Sequence, residues 1–86
     1  MRFVVTDRFR SAYRSLPEVM QKKADKAIRL LADNPRHPSL HLKKIQGTPG
    51  IWEARVDKGC RMTIEIHPDF YLLRNICKYD ETIGNP

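Results

Sequence analysis

Two short segments on either side of a turn signal carry the residues best suited to chemistry. In Ile51-Trp52-Glu53-Ala54-Arg55-Val56, the residues Trp52, Ala54 and Val56 alternate with Ile51, Glu53 and Arg55. Beyond Asp57-Lys58-Gly59, the residues Cys60, Met62, Ile64 and Ile66 alternate with Arg61, Thr63 and Glu65. A period of two puts each set on its own face of a sheet. Asp-Lys-Gly is a tight-turn signal. Pairing through that turn makes Arg55 a neighbour of Arg61 on a polar face shared with Glu53 and Glu65. A guanidinium matches a phosphate with two parallel hydrogen bonds and keeps its charge at any ordinary pH. The competing reading is an ion pair across the sheet, Arg61 or Arg55 with a glutamate.

Other cations widen the candidate surface. Lys43 and Lys44 lie in a strand candidate where one must face solvent, as phosphate contacts or as a solvated strand edge. Arg74 interrupts an apolar strand, so it either reaches the polar face or pairs with an internal carboxylate. Lys22, Lys26 and Arg29 form a basic stripe on one helix, and Lys78 and Tyr79 follow the last strand. His37, His41 and His67 do not make a metal site: Pro38 prevents a helix between the first two. Cys60 and Cys77 read as buried or half-buried small residues of a reduced protein rather than zinc ligands or a disulfide scaffold. No metal and no small-molecule cofactor is expected.

The elements that position these residues follow from period and punctuation. Phe3-Val4-Val5 is a first strand. Thr6 or Asp7 caps a helix through Ser15, with Phe9, Ala12, Tyr13 and Leu16 at helical spacing. Ser15-Leu16-Pro17-Glu18 reads as a capping box opening a second helix to about Asp33. Its apolar stripe is Met20, Ala24, Ala27, Ile28 and Leu31. Asn34-Pro35 stops it. Leu40 to Ile45 is the second strand. Strands over 51–56, 60–66 and 70–77 follow, the last apolar on both faces and therefore interior. The order β-α-α-β-β-β-β predicts an α+β domain, with two N-terminal helices packed on one face of a small, mostly antiparallel sheet.

Size and charge bound the function. The chain has 86 residues, 41% hydrophobic, with 16 Lys and Arg against 10 Asp and Glu. That length predicts one domain over residues 1–86, and excludes a multidomain enzyme or a nucleotide-binding α/β domain. No apolar run nears the ~20 residues of a membrane span, and Met1 to Thr6 is too short and too soon charged to be a signal peptide. A cytoplasmic protein without a membrane partner is expected. The charge of +6 suggests an anionic partner, either nucleic acid or an acidic protein. It is uneven: the first 46 residues hold 11 Lys and Arg against 4 Asp and Glu, the rest 5 against 6.

Several stretches taken in order resemble the RelE/ParE superfamily of bacterial toxins from toxin–antitoxin modules. They are Tyr13, Leu16-Pro17, the run Leu31 to Leu40, Leu42 to Gly47, Ile51 to Val56, Gly59 to Met62, and Leu72 to Ile76 running into Lys78-Tyr79-Asp80. The resemblance implies the same β-α-α-β-β-β-β order. It also implies an antitoxin partner and one of two activities. RelE-like members cut mRNA in the ribosomal A site without a metal; ParE-like members inhibit DNA gyrase. The segment from Pro35 to Arg61 is more similar to the RNA-cleaving branch, whose partners are the 70S ribosome and mRNA.

Carried onto this chain, the resemblance assigns Arg61 to the phosphate and Arg55 beside it. Glu53 stands where some relatives have a cation, and can serve as general base. Tyr79 stands where the family often has a catalytic His or Arg, and can donate a proton or stack on a base. The missing His leaves a non-catalytic antitoxin-binding relative as a further reading. The Lys22, Lys26 and Arg29 stripe would dock on rRNA or receive the antitoxin, with Lys43, Lys44, Arg74 and Lys78 as further RNA contacts.

Overall fold

A computed structural model describes residues 2–77, so the expected contacts of Lys78 and Tyr79 lie outside them. Strand β1 (Arg2–Val5) leads into helix α1 (Asp7–Arg14) and helix α2 (Glu18–Asp33). A 3-10 turn (Pro38–Leu40) precedes β2 (Lys43–Lys44), β3 (Ile51–Asp57), β4 (Cys60–Ile66) and β5 (Phe70–Ile76). The five strands form one sheet in the order β1-β5-β4-β3-β2. β1 runs parallel to β5 and the other pairs are antiparallel. β5 is an interior strand, as its apolar run requires.

Thr6 starts α1: its Oγ1 accepts from the Phe9 amide at 3.0 Å and donates to the Arg74 carbonyl at 2.7 Å. One hydroxyl therefore caps a helix and ties it to the last strand. The helices bury Phe9, Ala24, Ala27 and Leu31 against Ala54, Met62, Ile64, Leu73 and Ile76 of the sheet. Two alanines on the buried stripe of α2 let its backbone lie close to the strands, and burial of the larger side chains drives the layer together.

Three expectations need correction. The predicted capping box is not formed: Pro17 is the N-cap of α2 without a side-chain cap bond, and the Ser15 hydroxyl donates to the Ser11 carbonyl instead. Pro17 fixes φ and opens the helix without such a cap. The predicted strand over 40–45 shrinks to two residues. Pro38 starts a 3-10 turn, the His37 ring accepts from the Ser39 amide, and His41 is left-handed at φ 45°, so extended pairing begins only at Lys43.

The third correction concerns the cysteines. Cys60 and Cys77 are buried, as expected, but bonded to each other rather than reduced. Met62 pairs with Ile76, and the Cys77 amide donates to the Arg61 carbonyl at 2.7 Å, so the two Cα atoms come within 4.2 Å. Such a separation is slightly shorter than the roughly 4.4–6.8 Å that disulfides usually span. The sheet also has a register shift at Thr63 and Ile64, where Asn75 and Leu73 are the β5 partners and Arg74 lies between them at the bulge.

Candidate functional site

The sheet face away from the helices carries the polar alternators. Arg55 pairs in register with Arg61, Glu53 with Thr63, and Thr63 with Asn75. The hairpin turn is held by the Gly59 amide, which donates to Asp57 Oδ1 at 2.8 Å. That bond, then the nearby Lys23 ammonium, holds the Asp57 carboxyl below its ordinary value. Lys23 Nζ lies 3.1 Å from Asp57 Oδ2 and so ties α2 to this turn.

Arg61 folds back on the same turn. Its Nη1 donates to the Asp57 carbonyl at 2.8 Å and to the Lys58 carbonyl at 3.3 Å. Two backbone acceptors thereby fix the guanidinium at the hairpin end of the face. Arg55 takes the other direction: its Nη1 is 3.4 Å from His41 Nε2. The arginines are brought together by register, and their head groups are separated by different partners.

Glu53 sits on this face but is buried at 5% exposure. Its carboxylate lies 3.3 Å from the ammonium of Lys43, the residue opposite it on β2. Lys43 itself is exposed, so the pair sets a surface cation over a buried carboxylate. Lys44 pairs with Trp52 and is also exposed. The pairing of Glu53 with an arginine that sequence reasoning weighed gives way to pairing with Lys43.

At the far end of the face lies a second cluster. Glu65 accepts from Arg74 and lies 2.9 Å from His67 Nε2. Burial pushes the Glu65 carboxyl up, but the hydrogen bonds from His67 and Arg74 and their charge outweigh it, leaving it below its ordinary value. The His67 ring stacks on Phe70 at 4.3 Å. Of the two readings of Arg74, the carboxylate partner is the one the structure displays. The stripe residues Lys22, Lys26 and Arg29 are all exposed on α2, with Lys22 3.7 Å from Glu18.

Sequence reasoning missed His41, Lys23 and His67 as neighbours of the polar face. His41 and His67 lie outside the strands, where alternation gives no signal, and Lys23 sits beside the basic stripe on α2. Among the described residues, no group of three or more His, Cys, Asp and Glu is placed to hold a metal ion, and no helix is long and apolar enough to cross a membrane.

No protein-family model and no curated protein sequence matches the chain. Solved structures do. The YoeB/ParE toxin from Agrobacterium tumefaciens superposes with a TM-score of 0.77 at 17% identity, over 90% of this chain and 96% of that one. The chain has the fold of these toxins. The RelB–RelE antitoxin–toxin complex from Methanococcus jannaschii gives a TM-score of 0.74 at 18% identity, over 96% of this chain and 99% of the matched one. The E. coli DinJ–YafQ complex gives 0.75 at 15%, over 98% and 100%. The RelE-like fold thus accounts for nearly all of the chain, and its polar sheet face carries Arg55, Arg61 and Glu53 in this sequence.

Proposed function

We propose that this chain is a RelE/ParE superfamily toxin of a toxin–antitoxin pair, acting in the cytoplasm as a ribosome-dependent endoribonuclease. The observation that carries this reading is the register of Arg55 opposite Arg61, on a face that also holds Glu53. Arg61 is immobilised by backbone carbonyls and can meet a phosphate without first being ordered, which is what stabilisation of a charged transition state needs. In the proposed reaction the 2′-oxygen of the RNA attacks the adjacent phosphorus and the bond to the 5′-oxygen breaks. Glu53 takes the 2′-hydroxyl proton once its contact with the exposed Lys43 opens, Arg61 and Arg55 bind the non-bridging oxygens, and Tyr79 gives a proton to the leaving 5′-oxygen. Lys43, next to Glu53, contacts a flanking phosphate. The partner is an antitoxin, in keeping with the RelB–RelE complex whose toxin shares this fold.

The test is a transcript map during induced expression. New 5′ ends inside translated coding regions are expected, and Arg61→Ala should abolish them while the protein stays folded. Growth arrest with intact transcripts would overturn the nuclease reading and point to gyrase, which a supercoiling assay with purified protein would then examine.

A further inference from the structure

α2 ends at Asp33, and the sheet extends beyond it. The segment over 34–42 wraps around the uncovered end and leaves a cleft of about 600 Å³ on the helix side. Its aromatic and apolar wall is Trp52, Tyr71, Leu42 and Ile66. Ile66, the last residue of β4, is 40% exposed there. The rim carries Arg36, His37 and His41, and no carboxylate stands among the described residues that line the cleft. Two other grooves differ, one with Asp25 and another with Asp57; a third, beside α1, also has no carboxylate in its lining but has no aromatic wall. An apolar wall with a carboxylate-free rim that carries the Arg36 guanidinium and two imidazoles is the complement of an aromatic ring attached to an anionic group.

The rim is continuous with the polar face. His41 Nε2 lies 3.4 Å from Arg55 Nη1, and Arg55 is the register partner of Arg61. Arg36, His41, Arg55 and Arg61 therefore trace a line of cationic and hydrogen-bonding groups from the cleft, around the short β2 edge, to the hairpin. Because β2 has only two residues, no longer strand blocks that route.

The structure assigns this cleft to a nucleobase of a single RNA strand, stacked at Trp52 with its phosphate at Arg36 and His41. Single-stranded RNA is recognised by splayed bases on aromatic side chains and by cations along the backbone. The assignment rests on the proposed RNA-directed function for the source of its ligand, while the binding itself is measurable without a ribosome.

Trp52 is the sole tryptophan of the chain, so its fluorescence reports the cleft. Titration of the full chain with a five-nucleotide RNA should quench it. Arg36→Ala should weaken the half-saturation point by about tenfold, the value of one charge-assisted hydrogen bond. His41→Asn, which tolerates the left-handed backbone there, should weaken it in the same direction. Circular dichroism confirms that both variants fold. Absence of quenching by the pentamer, or unchanged titrations in both variants, overturns the assignment. Equal quenching by uridine monophosphate at the same concentration overturns it in favour of a free nucleotide, and equal quenching by inorganic phosphate overturns the stacked base. Quenching in a protein that produces no transcript cleavage retains the cleft and rejects the nuclease. Cleavage without quenching does the reverse.

Discussion

Arg55 and Arg61 are direct partners across the β3–β4 hairpin, yet their guanidinium groups have different anchors, His41 for one and the turn carbonyls for the other. Like charges directly opposite one another repel. Separate anchors hold each charge against its own acceptor, which offsets that repulsion.

The two arginines should therefore separate in mutagenesis. Arg61→Ala removes the preordered cation and should reduce mRNA cleavage by two orders of magnitude or more, on the order of 10²-fold or greater for a lost electrostatic group. Its stability cost should stay near ~1 kcal/mol, since the turn carbonyls can return to water. Arg61→Lys should fail to restore activity, because an ammonium cannot make the paired contacts. Parallel cleavage assays and urea unfolding measure both effects, and full activity in Arg61→Lys would remove the geometric role given to this residue.

The disulfide should be a large contributor to stability. It closes a loop between residues 17 apart, and crosslinks of that size contribute about 3 kcal/mol. A Cys60→Ser, Cys77→Ser double variant should lose roughly that much, and its melting temperature should fall by on the order of 15 °C. Burial of both sulfurs, at 1% and 7% exposure, should make the bond slow to reduce in the native state. Thiol counting against time in dithiothreitol, with and without urea, tests the second point; equal rates would contradict it.

Acid should destabilise the fold through Glu65 and Asp57. Both carboxyls titrate below their ordinary values in the folded chain. A depressed carboxyl contributes stability that is present above its unfolded value and lost as pH falls through its folded value. The loss should thus begin below about pH 4.5 and deepen with further acid. Glu65→Gln should flatten this limb in urea titrations across that range without abolishing it, because Asp57 remains. An acid limb as steep as wild type would show that Glu65 does not contribute.

Thr6→Ala removes two hydrogen bonds made by one hydroxyl. Loss of the cap costs about 1 kcal/mol, and the freed Arg74 carbonyl adds to it. Thermal melting should register a drop of several degrees, on the order of 5–10 °C. Thr6→Ser should recover most of it, whereas a purely steric role for the threonine methyl would leave serine as weak as alanine.

The basic stripe should act by charge rather than shape. Replacing Lys22, Lys26 and Arg29 with glutamine should weaken ribosome binding and reduce its salt dependence, with little change in melting temperature. Sedimentation with ribosomes at two salt concentrations measures it. Identical slopes would make the stripe a solvated helix face.

Much of the fold was legible because it is written in short periods. The alternation on either side of Asp57-Lys58-Gly59 gave the register of Arg55 with Arg61, and the 3.6-residue stripe gave the buried face of α2. What was not legible depends on contacts between distant residues. Nothing local announces that Cys60 meets Cys77, since that follows from the pairing of Met62 with Ile76. Nor does the sequence show that Glu53, read as a residue of an open face, is nearly inaccessible and paired with Lys43. Leu40 to Ile45 looks extended by composition, but the left-handed turn at His41 takes most of it out of the ladder. Arg74 was placed between two readings because a bulge, invisible to a period of two, decides which way it points.

The first strand of the chain is completed by the last. Among the described residues β1 pairs with β5 alone, and Thr6 reaches across 68 positions to Arg74. Contacts of such separation form late, since most of the loop between them must be closed first. During synthesis β1 and the cap of α1 must wait until β5 has left the exit tunnel. The strand made first is therefore among the last to be seated, and the edge it forms stays open until β5 is in place.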